Sequence, residues 1–349
     1  MLAMSGGVDS SVSAALLAED GFEIVGIMLN LWSEYGKDEY NRCCTPDSVF
    51  QAKKIAVQLG FPFFVIDVKK LFYEIIVNDF ISGYTNNITP NPCLLCNNKI
   101  RWGFLLDYAI SIGADYLATG HYAQKNIDQD NRFQLLRGID THKDQSYVLY
   151  TLGQEQLAKT LFPIGRLTKL QVRELARQLN LPVSERPDSQ DLCFLGGEDY
   201  RTFLLRQTEK INKSGPIIST DGKILGYHNG LAFYTIGQRK GLNISTPYPT
   251  YVIEKDSLNN TLIVGDKNQL AKMELIASNL SWVSGEPPAG QFDAQVKIRY
   301  KARDINALVI LQTKGTAKIV FSEPAYGITP GQSVVFYNNM ICLGGGIIQ

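Results

Sequence analysis

Short apolar runs and amphipathic stretches alternate along the first part of the chain, and the pattern changes after about residue 250. Residues 1–4 are apolar and long enough only for a short strand, and residues 12–18 behind them read as a helix. Residues 23–29 read as a buried strand, 46–59 as a helix, 63–67 as a strand, 70–83 as a helix and 115–119 as another short strand. This rhythm predicts an α/β fold, a parallel sheet with helices on both faces. Ligands of such sheets bind at the carboxyl ends of the strands, where Ser5–Ser10 and Gly120-His121 would lie. Residues 168–180 form a further helix with a Thr cap, stopped by Leu181-Pro182, and 198–206 another. A turn-rich middle follows, with Asp221-Gly222, His228-Asn229-Gly230 and Lys240-Gly241.

From residue 250 onward the period shortens. Residues 251–255 and 261–264 flank a hairpin turn, and 292–303, 306–313, 317–321, 332–337 and 341–343 read as strands. That pattern predicts an all-β tail, most simply a small barrel. In a strand over 292–303, Lys297, Arg299, Lys301 and Arg303 share one face while Val296, Ile298, Tyr300 and Ala302 take the other. Four like charges on one face suit a polyanion. The division expected is 1–200, 201–268 and 269–349.

At 349 residues the chain is long enough for two or three domains. No apolar run approaches the roughly 18–20 residues of a membrane span, and no basic–apolar–small leader is present, so the expected location is cytoplasmic. The 34 basic and 34 acidic residues cancel, so any nucleic-acid contact must come from local patches.

The densest chemistry is Ser5–Ser11, SGGVDSS. A strand, a glycine turn and a helix start aim backbone N–H groups at one point, and the helix N-terminus adds partial positive charge. Gly6 and Gly7 allow positive φ and close approach of an anion. The lysine of the GxxxxGK[ST] loop is absent. The motif instead resembles the pyrophosphate loop of the N-type ATP pyrophosphatases, which implies ATP, with Asp9 orienting Mg²⁺ or the phosphates.

Six cysteines occur. In residues 88–102, ITPNPCLLCNNKIRW, Asn91 is a good N-cap and Pro92 suits the first helical position. Cys93 and Cys96 then share a face near a helix N-terminus, with Lys99 nearby, an arrangement that favours thiolate. A half-buried pair, or half of a zinc site, is the plainer alternative. Cys193 lies between Leu192 and Phe194, where a core role competes with a chemical one. Cys342 reads as core, and Cys43 and Cys44 have no assigned role.

Taken together, SGGVDSS, NPCLLCN, ATGHYA (118–123), KDQSYVLY (143–150), DSQDLCFLG, TIGQRKGL (235–242) and PGQSVVFYN…CLGGGII (330–348) resemble the tRNA-specific 2-thiouridylases, the MnmA/TrmU family, from one end of the chain to the other. The resemblance implies an N-type ATP pyrophosphatase (PP-loop) domain, a small central domain and a C-terminal β-barrel. It implies adenylation of the C2 oxygen of a wobble uridine, then sulfur transfer to that carbon. By resemblance, Cys193 carries a persulfide and Cys96 is the nucleophile that ends in a transient disulfide with it. Ala3, Met4, Ser5, Gly6, Gly7, Val8, Asp9, Ser10, Leu29 and Gly120 match ATP contacts, and Asn91, Pro92 and Cys93 match the target-base stretch. His121, Lys143, Asp144, Gln145, Arg299, Tyr300 and Gln332 match tRNA contacts. The implied partners are a tRNA with a wobble uridine of the Lys, Glu or Gln type, and a sulfur donor, either a cysteine desulfurase or a relay carrier.

Many members read NPD where this chain reads NPC. The extra thiol leaves open a second route, in which Cys93, Cys96 and Cys193 hold an iron–sulfur cluster. Two further readings follow from the glycine loop alone: an amide-forming synthetase of the same ATP-splitting class, and an RNA-binding or redox-sensing module without turnover.

Overall fold

The computed structural model describes residues 1–34, 44–187, 192–313 and 315–349. In chain order the N-terminal part contains β1 (Leu2–Ala3), β2 (Gly26–Asn30), β3 (Phe63–Asp67), β4 (Leu117–Thr119), the hairpin β5 (Ala123–Ile127) and β6 (Phe133–Arg137), and β7 (Thr160–Leu161). Five of these form a parallel sheet in the order β3-β2-β1-β4-β7. The chain builds outward from β1 on one side, then returns to β4 on the other. The strand order therefore reverses between β1 and β4, and a crevice opens at their carboxyl ends.

The helices form for local reasons. Pro46–Leu59 starts with Thr45 accepting from the Ser48 N–H and Pro46 at the first position, and it ends on Gly60 at φ 76°. Val8–Glu19 is buried along most of its length, yet it carries serines. Their hydroxyls turn back onto the helix: Ser11 Oγ donates to Gly7 O at 2.7 Å and Ser13 Oγ to Asp9 O at 2.8 Å, which leaves neither group unsatisfied. Asn91 caps the next run as its residue type predicts, its Oδ1 accepting from the Leu94 N–H. The helical runs over 69–85 and 92–111 are each π-wound in part, over Tyr73–Val77 and Cys96–Leu105. Cys96 stands where the winding changes, and such irregularities are often found at functional sites.

The middle of the chain folds into β8 (Gly215–Ser219), β9 (Ile224–His228), β10 (Tyr251–Asp256) and β11 (Thr261–Gly265), ordered β10-β11-β8-β9. The first two occupy the stretch whose sequence reads only as turns. The tail contains β12 (Ala271–Trp282), β13 (Gln291–Lys297), β14 (Ile305–Gln312), β15 (Thr316–Tyr326), β16 (Ser333–Asn338) and β17 (Ile341–Ile348). They run in the order β12-β15-β14-β13-β16-β17, and β12 pairs back with β17, so the sheet closes into a barrel. Alternate residues such as Val296, Ala307, Val309, Ile319, Val334 and Phe336 fill its interior.

Two features depart from the sequence pattern. The hairpin β5–β6 was not anticipated. It extends the barrel sheet, Leu136 facing Ile341 and Leu135 facing Cys342. It thereby joins barrel and parallel sheet over one core that includes Ile27, Trp102, Leu135, Tyr150, Tyr337 and the buried Cys342. The strand expected over 292–303 stops at Lys297. The chain then turns, with Ala302 N donating to Arg299 O at 3.0 Å. Alternation of apolar and polar residues continues through this turn, but Arg299 points inward to oxygen atoms supplied by distant segments, a tertiary fact that alternation does not encode. Among the described residues no helix is long and apolar enough to cross a membrane.

The helix Lys169–Gln178 begins with a reciprocal cap: Thr168 Oγ1 accepts from Gln171 N, and Gln171 Oε1 accepts from Thr168 N. Thr168→Ala is expected to cost about 1 kcal/mol, read as a lower urea midpoint with an unchanged slope.

Candidate active site

The crevice between β1 and β4 holds a cavity of about 490 Å³. Its floor is the glycine turn of residues 5–10. Gly6 has φ 68° and a Cβ there would stand 2.3 Å from Ser48 O, so neither conformation nor space admits a side chain. Gly120, from the end of β4, packs as closely: a Cβ would lie 2.8 Å from Ser10 N. The helix Val8–Glu19 has Gly7 as its N-cap and no side-chain cap. Its first-turn N–H groups therefore face the crevice without a competing side-chain acceptor, the arrangement an anion needs.

Cations surround this floor. Arg101, Lys143, Lys169, Arg186 and Lys301 line the cavity, against one carboxylate among the described lining residues, Asp9. Lys169 Nζ holds Asp9 through both oxygens, at 2.8 and 2.9 Å, and Tyr122 OH donates to Oδ1 at 2.7 Å. Arg186 Nη1 donates to Gly6 O at 2.9 Å and its Nη2 donates to Ser48 Oγ, with Asp47 completing an ion pair at 2.9 Å. The Gly6 carbonyl is thus already satisfied, by a cation of the cavity wall. A chain of zero net charge concentrates positive charge at one place.

His121 is buried within this wall. Arg101 Nη1 lies 3.0 Å from Nε2, and Thr119 Oγ1 lies 2.9 Å from Nδ1. Arginine can only donate, so Nε2 is the acceptor and Nδ1 carries the proton. Burial, then the Arg101 charge, push its pKa well below the ordinary histidine value.

The residues expected from sequence divide into groups. Ala3, Met4, Ser5, Gly7, Val8, Asp9, Ser10, Leu29, Gly120, His121, Lys143, Gln145, Tyr300 and Cys96 all line the cavity, and Gly6 lies directly behind it. Asn91, Pro92 and Cys93 are not among its lining; they begin the helical run that continues into Cys96. Cys93 is exposed, and it is close enough to Tyr300 that its charge is among the causes, after burial and Asp144, that push the Tyr300 phenol up to about 12. Cys193 and Cys96 are half-buried and pack against the same apolar cluster, and Phe194 is locked into that cluster by Phe80, Phe203 and Phe72 at ring distances of 5.1 to 6.0 Å. Cys43 and the residues of DSQD lie outside the described residues.

Several expectations are corrected. The four cations of 297–303 share no face: Lys297 ends a strand, the half-buried Arg299 turns to Ile236 O, Gly327 O and Thr329 Oγ1, Lys301 lines the cavity and Arg303 pairs with Glu323 at 3.0 Å. Lys169, Arg173 and Arg177 on the helix Lys169–Gln178, which by residue type could also meet RNA, face other groups: Lys169 is on Asp9, Arg173 donates to the carbonyls of Ser184 and Arg186, and Arg177 pairs with Glu185. Among the described residues, which include Cys93, Cys96 and Cys193, no three His, Cys, Asp or Glu converge to hold a metal ion. Asp144 is also turned inward, accepting from Gly138 N, Ser146 N and Ser146 Oγ at 3.0 Å each. Arg186, Arg101 and Tyr122 were missed as site residues. Tyr122 sits in the ATGHYA motif, but nothing local marks Arg186, whose partners are more than a hundred residues away in the chain.

Comparison with known proteins agrees with this architecture. A family profile described as the tRNA methyl transferase HUP domain matches residues 1–197, a PRC-barrel profile 201–266 and an aminomethyltransferase beta-barrel profile 272–348. A tRNA-specific 2-thiouridylase MnmA 1 of Caldanaerobacter subterraneus subsp. tengcongensis is 44% identical over 353 residues, covering 100% of this chain and 97% of its own. The tRNA-specific 2-thiouridylase MnmA of Moorella thermoacetica is also 44% identical, with 100% and 99% covered.

Because the His121 pKa is lowered on folding, its neutral form contributes stability above about pH 6.5, and that contribution is lost as pH falls below 6.5 toward the folded value. The urea midpoint of the native chain is expected to fall between pH 7 and pH 5.5 more steeply than that of His121→Gln. A ring that titrates near 6.5 by NMR contradicts this.

Proposed function

The chain belongs to the tRNA-specific 2-thiouridylase family and is a tRNA-uridine 2-sulfurtransferase, and we propose how its cavity performs that reaction. The single observation that carries the proposal is the crevice described above. Five cations and a bare helix N-terminus face one carboxylate, with Cys96 in the same wall. ATP sits with its phosphates on residues 5–10. Mg²⁺ arrives with the nucleotide as part of the substrate. A lone Asp9 suits a cation held mainly by phosphate oxygens and water.

A uridine C2 carbonyl is a poor electrophile with a poor leaving group. The C2 oxygen attacks the α-phosphorus, pyrophosphate leaves, and the oxygen becomes part of a departing AMP. The terminal sulfur of a Cys193 persulfide then attacks C2 and AMP is expelled. The Cys96 thiolate attacks the Cys193 sulfur, forming the Cys96–Cys193 disulfide and leaving the other sulfur on C2 as the thiocarbonyl. A reductant later reopens the disulfide. The common cluster against which both thiols pack supports this pairing. Asn91, Pro92 and Cys93 receive the base, which a single-stranded loop can splay out, and His121, Lys143, Gln145 and Tyr300 meet the surrounding RNA, Lys301 with them. The sulfur comes from a desulfurase or a relay protein in the cytoplasm. We place the divisions of the chain at 1–200, 201–268 and 269–349. The amide-synthetase reading leaves both cysteines without a task, and the module reading leaves the phosphate cradle without one.

The test is a reconstitution with ATP, tRNA and a cysteine desulfurase, read by mass spectrometry of the wobble nucleoside. Cys96→Ser and Cys193→Ser are each expected to abolish 2-thiouridine while nucleotide affinity stays within about threefold of the native value. Full thiolation by either contradicts the assigned roles, and pyrophosphate release that needs no tRNA contradicts the substrate. Lys143→Ala and Lys301→Ala are each expected to weaken tRNA binding and to reduce its salt slope by roughly 0.7–0.9, measured by titration at several salt concentrations.

A further inference from the structure

We infer that Arg299 and Gln332 are positioning residues: with the barrel turn 327–332 they form a strut that holds the loop leading into Asn91. The resemblance suggests direct tRNA contacts for both, but Nη2 of Arg299 and Nε2 of Gln332 are engaged inside the protein. Arg299 Nη2 donates to Ile236 O of the middle segment at 2.8 Å, and to Gly327 O and Thr329 Oγ1 of the barrel. Its guanidinium is flanked by bare backbone: a Cβ on Gly327 would stand 3.2 Å from Nη2, and one on Gly237 3.7 Å away. Both glycines have positive φ. Among the described residues no carboxylate makes an ion pair with Arg299; the acceptors of its Nη2 are neutral oxygens.

The same turn then grips the N-terminal part. Thr89 N donates to Pro330 O at 3.3 Å, and Gln332 Nε2 donates to both Thr89 O and Pro90 O at 3.1 Å. Gly331 lies against Ile88 so closely that a Cβ would come within 2.2 Å of its Cγ2. Pro90 is followed at once by Asn91, the N-cap of the helical run that carries Cys93 and Cys96. A continuous line of hydrogen bonds and backbone contact therefore runs from Ile236 through Arg299, Thr329 and Gln332 to the base-receiving loop. Position there matters, since a displacement of about 1 Å at a reacting group costs on the order of a hundredfold in rate. The consequence is that middle segment and barrel, beyond any grip on tRNA, set where the loop 88–93 stands.

This inference rests on the reading of Asn91–Cys93 as the base site, so its test has a readout that needs no substrate. Gln332→Leu removes both donors at a half-buried position and keeps the side chain's bulk. Amides of residues 88–95 in the full-length variant are expected to exchange with deuterium about tenfold faster than in the native chain. In the reconstituted reaction kcat is expected to fall about tenfold or more, with the ATP KM unchanged and the salt slope of tRNA binding unchanged. Arg299→Lys, which keeps the charge and loses the fork geometry, is expected to give the same pattern. Native exchange at 88–95 in Gln332→Leu overturns the strut. A salt slope lowered by roughly 0.7–0.9 in Arg299→Met, with kcat at saturating tRNA intact, also overturns it and favours a direct phosphate contact. If the native chain thiolates no tRNA, the proposed function fails while the exchange result still decides the strut.

Discussion

Close packing of bare backbone around the glycine turn is the constraint on which the site depends. Gly6 lies on the Ser48 carbonyl and Gly120 on the Ser10 amide, at separations that exclude a Cβ. These two contacts draw the first helix, the helix Pro46–Leu59 and the end of β4 to one point. Only such an approach lets a helix N-terminus and a turn share an anion. The carbonyl of the left-handed Gly6 accepts from Arg186 of the cavity wall. An anion thus meets the donors of the helix N-terminus while the turn's own carbonyl is already satisfied.

Electrostatics then does what composition conceals. The chain carries equal numbers of acidic and basic residues, yet the described residues of the crevice include five cations and one carboxylate. That carboxylate is clamped by Lys169 and Tyr122, and hydrogen bonds to charged groups of this kind contribute roughly 1.5–3 kcal/mol each. Asp9 is thereby held in one orientation before any nucleotide arrives. The buried, neutral His121 keeps Arg101 supplied with an acceptor rather than with a counter-charge. Arg101 therefore keeps its full positive charge for a ligand.

The barrel is part of this site rather than an appended binding module. Hairpin β5–β6 adds to its sheet, one core runs from Ile27 to Tyr337, and Gln154 Nε2 donates to both Phe133 O and Val283 O. Arg299 and Gln332 complete the union at the loop that leads into Asn91.

Some of this was legible in the order of residues because its causes are local. The SGGVDSS turn, the Asn91 cap with Pro92 after it, the Thr168 capping box and the alternation of the barrel strands all involve groups within a few positions of one another. The cysteines and motifs likewise pointed to the family and its chemistry. What the tertiary structure alone decided are the pairings between distant groups: Arg186 with Gly6, Lys169 with Asp9, Arg299 with Ile236 and Gly327, Gln332 with Thr89. A guanidinium in an alternating stretch looks the same whether it ends in solvent, on a phosphate or among carbonyls. The choice is made by which acceptors folding brings within hydrogen-bonding distance, and those acceptors are backbone atoms, present at every residue and therefore without any signature in the sequence.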